Sequence, residues 1–245
     1  VTHQNSSSTS ESEISAAALV ALLGDLGVTD GPARTAIARV KQKGLLTALP
    51  GARYALNPDA VPMLERGDRR IFEVRTMRSG DAWLLVSATI PEARRAVRHQ
   101  VRSRLQYLGA GAVSAGLWIL PAHLESEVEQ LLDELDARGS ATLFRTDDPR
   151  PAVPLREAAA TWWDLDALAA EHERFLASVA ALDVSSPFAA YVRLIDSWRV
   201  LPYVDPGLPA ELLPADWPGS RSVSVFTDLS SRLAEPALRH VRSVV

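Results

Sequence analysis

The stretch LVALLGDLGVTDGPARTAIARVKQKGLLTALPGARYAL, residues 19–56, carries the punctuation of a complete module. Leu19, Leu22, Leu23 and Leu26 recur at helical spacing and stop at Gly27, a residue type that takes the left-handed geometry ending many helices. Thr29 offers an N-cap, with Asp30 and Pro32 in the first turn of a second helix that runs through Lys43 and stops at Gly44. Two helices joined by so tight a turn predict a helix-turn-helix. LLTALPGARYAL, residues 45–56, then supplies two short apolar runs around Pro50-Gly51, which read as a small hairpin or wing. That order is a winged helix-turn-helix.

The second helix sorts its residues by face. At about 100° per residue, Ala33, Ile37 and Val40 fall together and are expected to pack on the first helix. Thr35, Ala38, Arg39 and Gln42 point the opposite way, with Arg34 and Lys41 on one flank. From Gly31 to Leu56 the charged residues are Arg34, Arg39, Lys41, Lys43 and Arg53, without a single acid. Arginine can bond two acceptors on guanine, glutamine can do likewise on adenine, and lysine mainly meets phosphate. The candidate DNA contacts are therefore Arg34, Thr35, Ala38, Arg39, Lys41, Gln42 and Lys43 on the helix, and Arg53 as the wing's one strong cation. A helical hairpin with a solvated basic face is the competing reading. Turn, cap, wing and one-signed charge together favour DNA.

The whole chain bounds what such a module can belong to. Its 245 residues suit two or three small domains, and 47% hydrophobic with 23% charged residues is the composition of a packed protein. A net charge of -4 argues against coating nucleic acid by bulk charge, yet leaves room for one local basic face. Cysteine is absent, which excludes disulfides and thiolate metal sites. No apolar run approaches the roughly 20 residues of a membrane span, and no basic-then-apolar leader opens the chain. The expected setting is the cytoplasm.

Four segments follow from pattern. Residues 1–14, beginning VTHQNSSSTSES, read as a disordered tail, and residues 15–66 as the winged module. A short helical piece near Val61–Glu65 and a linker at Gly67–Arg70 close that module. Residues 70–148 open with Ile71, Phe72 and Val74 alternating as a strand does. WLLVSATI (83–90) is a buried strand, and a helix follows Pro91 with Val97, Val101, Leu105 and Leu108 on one face. AVSAGLWIL (112–120) reads as another strand, Leu124–Arg138 as an amphipathic helix and ATLFRT (141–146) as a closing strand. Strand, helix, strand, helix, strand, with room for a further hairpin strand, predicts a ferredoxin-like α+β domain, its core around Trp83, Trp118 and Phe144.

Residues 155–245 read as mainly helical. Trp162, Leu165, Leu168, Phe175, Leu176 and Val179 supply one apolar face, and Tyr191, Leu194, Ile195 and Trp198 another. Between the helices lies LPYVDPGLPAELLPADWPG (201–219), whose five prolines cannot sit inside a regular element. It predicts an extended strap anchored by Tyr203, Leu208, Leu213 and Trp217, with a last helix over Val223–Val244.

Catalytic, metal and cofactor chemistry finds no residues here. GAGAVS (109–114) follows a helix and precedes a strand, the reverse of a phosphate-cradling turn, so it reads as a helix stop. The five histidines have no paired spacing, and Glu171-His172-Glu173 reads as a solvated helix face. The small CRISPR-associated nucleases share the ferredoxin-like fold and carry an acid just after their first strand. Thr89-Ile90 offers no carboxylate there. The expectation is a protein that is not an enzyme.

Three stretches carry a resemblance that covers nearly the whole chain after the tail. LGVTDGPARTAIARVKQKGLL, YLGAGAVSAGLWILP and above all VDPGLPAELLPADWPG are similar to the PaaX-like transcriptional regulators, repressors of phenylacetic acid catabolism. The resemblance implies a winged helix, a middle domain that pairs subunits and a helical C-terminal domain. It also implies a homodimer on a double-stranded operator, released by an acyl-CoA such as phenylacetyl-CoA. For such an effector, Arg95, Arg98 and Arg102 on the basic helix are the candidate phosphate contacts, and Trp162, Tyr203 and Trp217 the candidate acyl contacts. The same residues read as a solvated flank and as core aromatics. One departure stands out: the family pattern has another helix ahead of Ser15–Leu26, where this chain has a serine-rich tail. On that ground the alternative expectation is a ligand-sensing or interaction module whose winged helix does not bind DNA.

Overall fold

The computed structural model describes residues 13–245 as two compact units. The residues read as a disordered tail lie outside the described part, except Glu13 and Ile14, which form a strand. The first unit contains the chain up to Phe72 together with Ala181–Asp196 and Phe226–Val245. The second contains Glu73–Ala180 and Ser197–Val225.

In the first unit β1 (Glu13–Ser15) leads straight into α1 (Ala16–Asp25), because Ser15 both ends the strand and caps the helix. Its Oγ accepts the Ala18 N–H at 3.0 Å. Gly27, at φ 85°, ends the helix, and the chain bends by 118° into α2 (Asp30–Gln42). That bend lies in the range of DNA-binding helix pairs. Ala18 and Leu22 of α1 are buried with Ala33 and Ile37 of α2, as the periodicity requires, while Val40 is half-buried. Thr29 occupies the N-cap position of α2 without a side-chain hydrogen bond. Then β2 (Leu46–Leu49) and β3 (Arg53–Leu56) form a hairpin, and β1 joins as a third strand in the antiparallel order β1-β3-β2. The hairpin turns at Gly51 (φ 75°) and Ala52 (φ 54°), and the Asn57 amide clips its base by donating to the Gly44 carbonyl at 2.7 Å.

α3 runs from Val61 to Phe72, so the expected linker Gly67–Arg70 and the expected strand at Ile71–Phe72 are helix. Their apolar residues satisfy a helical period as well as an alternating one over so short a window. Phe72 packs against Phe226 with the rings tilted by 33° and their centroids 5.8 Å apart.

The second unit is built on a four-stranded antiparallel sheet, order β5-β6-β4-β7. Its strands are β4 (Trp83–Ala88), β5 (Gly111–Ser114), β6 (Leu117–Pro121) and β7 (Ala141–Thr146). The stretch 112–120, read as one strand, is the β5–β6 hairpin, because Gly116 at φ 84° reverses the chain and its carbonyl accepts from Ala88 N–H at 2.8 Å. Helices α4 (Arg95–Tyr107) and α5 (Glu125–Glu134) cover one face, where Leu84, Val86, Trp118 and Leu120 meet Val101, Leu105, Val128 and Leu132. α5 is shorter than the expected 124–138, since Asp136 takes φ 50°.

The opposite face packs on the C-terminal part of the chain. Trp83 and Ile119 meet Ala159, Trp163, Leu165, Leu208 and Leu212, from α6 (Leu155–Trp162), α7 (Leu165–Ala180) and the strap. Sheet and strap therefore share one core, although the sequence divides near residue 148. Phe144, expected in that core, is 56% exposed. It lies on edge strand β7 opposite Leu85, while the covering residues centre on Ile119 and Gly111, two and three strands away. The remaining helices are α8 (Pro187–Trp198), the one-turn α9 (Leu201–Val204) and α10 (Gly219–Val244).

The strap is ordered by specific contacts. Gly207 takes φ 67°, and a Cβ there would stand 2.5 Å from the Arg75 carbonyl. Its own carbonyl accepts the Met77 N–H at 2.7 Å. Asp205 accepts the Gly207 N–H at 2.8 Å and lies 2.8 Å from His172 Nε2. His172 is thus not on a solvated face: it is 1% exposed, with Trp217 edge-on against its ring.

Candidate nucleic-acid interface

The helix α2 presents the residues that the sequence singled out. Arg34, Thr35, Ala38, Arg39, Lys41, Gln42 and Lys43 are all exposed, because burial of Ala33 and Ile37 turns them outward. Thirteen residues at about 1.5 Å each make a rod of the size a DNA major groove admits. The electrostatics along it are uneven. Arg39, Lys41 and Lys43 make no ion pair with any described residue, whereas Arg34 Nε reaches Asp30 Oδ2 at 3.0 Å. That bond pushes the Arg34 guanidinium further up from its ordinary range. Thr35 Oγ1 donates to the Gly31 carbonyl at 3.0 Å, leaving its oxygen to accept.

The wing differs from its sequence reading. Arg53 Nη1 lies 2.8 Å from Glu13 Oε2, and its Nε is 3.5 Å from the Pro50 carbonyl. Residues 31–56 carry no acid, but β1 brings one across the sheet: the register places Ser15 opposite Arg53 and Glu13 opposite Ala55. Linear sequence shows no sign of this, because Glu13 stands forty residues away, next to a run of serines.

The first unit also ties α1 to the C-terminal helix. His240 Nε2 of α10 lies 2.7 Å from Asp25 Oδ2 of α1, and the His240 ring stacks on Phe188 at 5.6 Å.

The candidate effector residues come apart. Arg95, Arg98 and Arg102 share the exposed flank of α4. Arg98 Nη1 bonds Glu92 Oε2 at 2.5 Å and holds that carboxyl below its usual range. Arg95 and Arg102 have no ion-pair partner among the described residues. On the other flank, Arg94 meets Asp136 at 3.1 Å and Arg104 meets Glu134 at 2.6 Å. Trp162 and Trp217 pack on the core around Trp163 and Leu208, on the face of the sheet opposite α4. Tyr203 alone reaches α4, stacked on Tyr107 at 5.1 Å. Distance in the fold separates the two halves of the expected pocket, since alternate residues of one strand face opposite ways.

Among the described residues no group of three or more His, Asp or Glu side chains could hold a metal ion. Among the described residues no single helix is long and apolar enough to cross a membrane.

A helix pair ahead of a small antiparallel sheet, and a β-α-β-β-α-β unit with its strap, define the class to which this chain compares. The family model for the PaaX protein central Cas2-like domain matches residues 77–158, and that for the PaaX-like protein C-terminal domain matches residues 163–243. The transcriptional repressor PaaX of Escherichia coli (strain K12) is 28% identical, covering 94% of this chain and 77% of the relative. Among solved structures, the uncharacterized protein Rv0674 from Mycobacterium tuberculosis superposes with a TM-score of 0.64 at 25% identity, over 93% of this chain and 91% of that one. The chain belongs to the PaaX-like family.

Proposed function

We propose that this protein is a DNA-binding transcriptional repressor of an aromatic or organic-acid catabolic operon, and not an enzyme. It works in the cytoplasm as a homodimer whose winged helices read operator half-sites. The observation that carries the reading is α2: an exposed helix with three unpaired cations, entered through a 118° bend and followed by a three-stranded hairpin sheet. The order β1, α1, α2, β2, β3 supports a winged helix-turn-helix, and the sheet order β5-β6-β4-β7 with two helices on one face supports a ferredoxin-like middle domain. The E. coli relative's role as a transcriptional repressor points the same way.

In this reading Arg34, Thr35, Ala38, Arg39 and Gln42 meet bases or their phosphates, and Lys41, Lys43 and Arg53 meet backbone. An acyl-CoA effector such as phenylacetyl-CoA would set its phosphates on Arg95, Arg98 and Arg102. Its acyl end would lie toward Tyr203 and Tyr107 at the far end of α4, with Trp162 and Trp217 supporting the strap beneath.

The test is binding to duplexes drawn from promoter regions beside the gene, followed by fluorescence anisotropy over a salt series. A repressor gives one tight duplex and a steep loss of affinity with salt. Flat, absent binding to every duplex at low salt would instead favour an interaction module without DNA.

A further inference from the structure

We infer that Glu13 and Asp30 are specificity-setting residues, holding Arg53 and Arg34 away from DNA backbone until a matched operator replaces them. This rests on the DNA-binding reading above. Two of the five cations between Gly31 and Leu56 are the ones already engaged, each by a carboxylate from outside the acid-free stretch. One pair lies in the first turn of α2 and the other at the turn-proximal end of β3.

The geometry suits exchange rather than permanent bonding. Arg53 and Glu13 have 53% and 25% of their side-chain surface exposed, and Arg34 and Asp30 63% and 62%. Ion pairs so exposed contribute little to stability, so a phosphate can displace the carboxylate at small cost. A carboxylate left beside a phosphate repels it, however, and on random DNA no base contact holds the phosphate close enough to offset that repulsion. On random DNA the arginine therefore stays with its carboxylate, and the number of phosphates neutralised is smaller than the count of cations suggests. On an operator, base contacts from Arg39 and Gln42 fix the register and close the distance, and the exchange goes forward. Specificity is a difference between two affinities, and weakening the unspecific one raises it.

The fold supports Glu13 in this role independently of its charge. β1 pairs with β3 through Glu13–Ala55, Ile14–Tyr54 and Ser15–Arg53, and this register delivers Glu13 to Arg53. Arg53 is also drawn back by the Pro50 carbonyl, toward the turn rather than away from the protein.

The experiment uses the full chain and a 30-base-pair duplex of random sequence, read by fluorescence anisotropy between 0.05 and 0.3 M salt. Each phosphate contact adds about -0.9 to the slope of log affinity against log salt. Glu13→Gln is expected to tighten binding about three- to eightfold at 0.1 M salt and to steepen the slope by about 0.9, the effect of one added contact. Asp30→Asn is expected to do the same through Arg34. In an Arg53→Ala background Glu13→Gln should leave both affinity and slope unchanged within the error of the measurement, which is what separates release of Arg53 from a general loss of negative charge. A purely structural role for Glu13 would weaken binding instead, by loosening β1. Unchanged affinity in Glu13→Gln, or a gain that persists without Arg53, overturns the inference while leaving the DNA reading intact. A parent protein that binds no duplex at any salt overturns both.

Discussion

Arg39 and Lys43 stand one helical turn apart on α2, both exposed and both without an ion-pair partner among the described residues, yet they are expected to do different work. Arg39 lies on the face turned squarely away from Ala33 and Ile37, where a planar guanidinium can bond two acceptors on one base. Arg39→Ala is expected to cost about 1–3 kcal/mol of operator binding and to relax the preference at one position. Lys43, the C-cap of the helix, offers a point charge suited to phosphate. Lys43→Ala should weaken all duplexes alike and reduce the salt slope by about one. Anisotropy with an operator and its single-base variants separates the two, and equal effects on every duplex from Arg39→Ala would remove it from the readers. His172 gives a residue-scale prediction of another kind. Its Nδ1 is buried with no partner and its Nε2 depends on Asp205. Asp205→Ala strips the ring and the Gly207 N–H of their acceptor together, so a loss of about 1–3 kcal/mol is expected. Thermal or urea unfolding measures it, and an unchanged midpoint would show that the pair is dispensable.

At the scale of elements, glycines tell apart positions that look alike in sequence. Gly24, near the end of α1, has open space where a Cβ would go, and it lies inside a helix. Gly24→Ala is expected to stabilise by about 0.5–1 kcal/mol, through helix propensity and the smaller entropy of the unfolded chain. Gly207 has the left-handed φ and a backbone carbonyl in the way, so Gly207→Ala is expected to destabilise by about 1–3 kcal/mol. Comparing both midpoints with the parent's in urea settles the signs. The same contrast explains why the strap motif is long and irregular. Pro206 packs on Gly109, Gly207 on Arg75, and the Arg156 guanidinium donates to the Leu213 carbonyl at 2.9 Å, so the segment replaces ladder hydrogen bonds with individual ones. Leu208 and Leu212 are its buried anchors, while Tyr203, Leu213 and Trp217 stay half-buried.

At the scale of the whole molecule, one winged helix spans too few base pairs for useful selectivity, and paired half-sites about one helical turn apart supply the rest. Light scattering at micromolar concentration is expected to return twice the 26.5 kDa of one chain. A monomer would require another source of selectivity. An effector can release DNA only if it prefers the unbound form, so its binding and the operator's must oppose each other equally. Calorimetry with a panel of acyl-CoA thioesters is expected to find one that binds and that operator DNA weakens. Arg98→Glu combined with Arg102→Glu should abolish its heat, and unchanged binding would move the phosphate site off α4.

Periodicity and punctuation in the sequence were sufficient for the helix pair, the hairpin after it, the inner face of α2 and strands β4 and β7 of the larger sheet. These depend on neighbours within a few residues, where spacing of apolar side chains and the positions of Gly27, Gly44 and Gly51 act directly. Glu13 beside Arg53, His172 beside Asp205 and the exposure of Phe144 depend on which strands and helices become neighbours. A carboxylate forty residues from its arginine leaves no local pattern, and an edge strand has the same alternation as a central one. The α+β class was therefore legible from the chain itself. That Arg53 meets a carboxylate was decided only when β1 paired with β3, because register across a sheet, and not distance along the chain, sets which charges meet there.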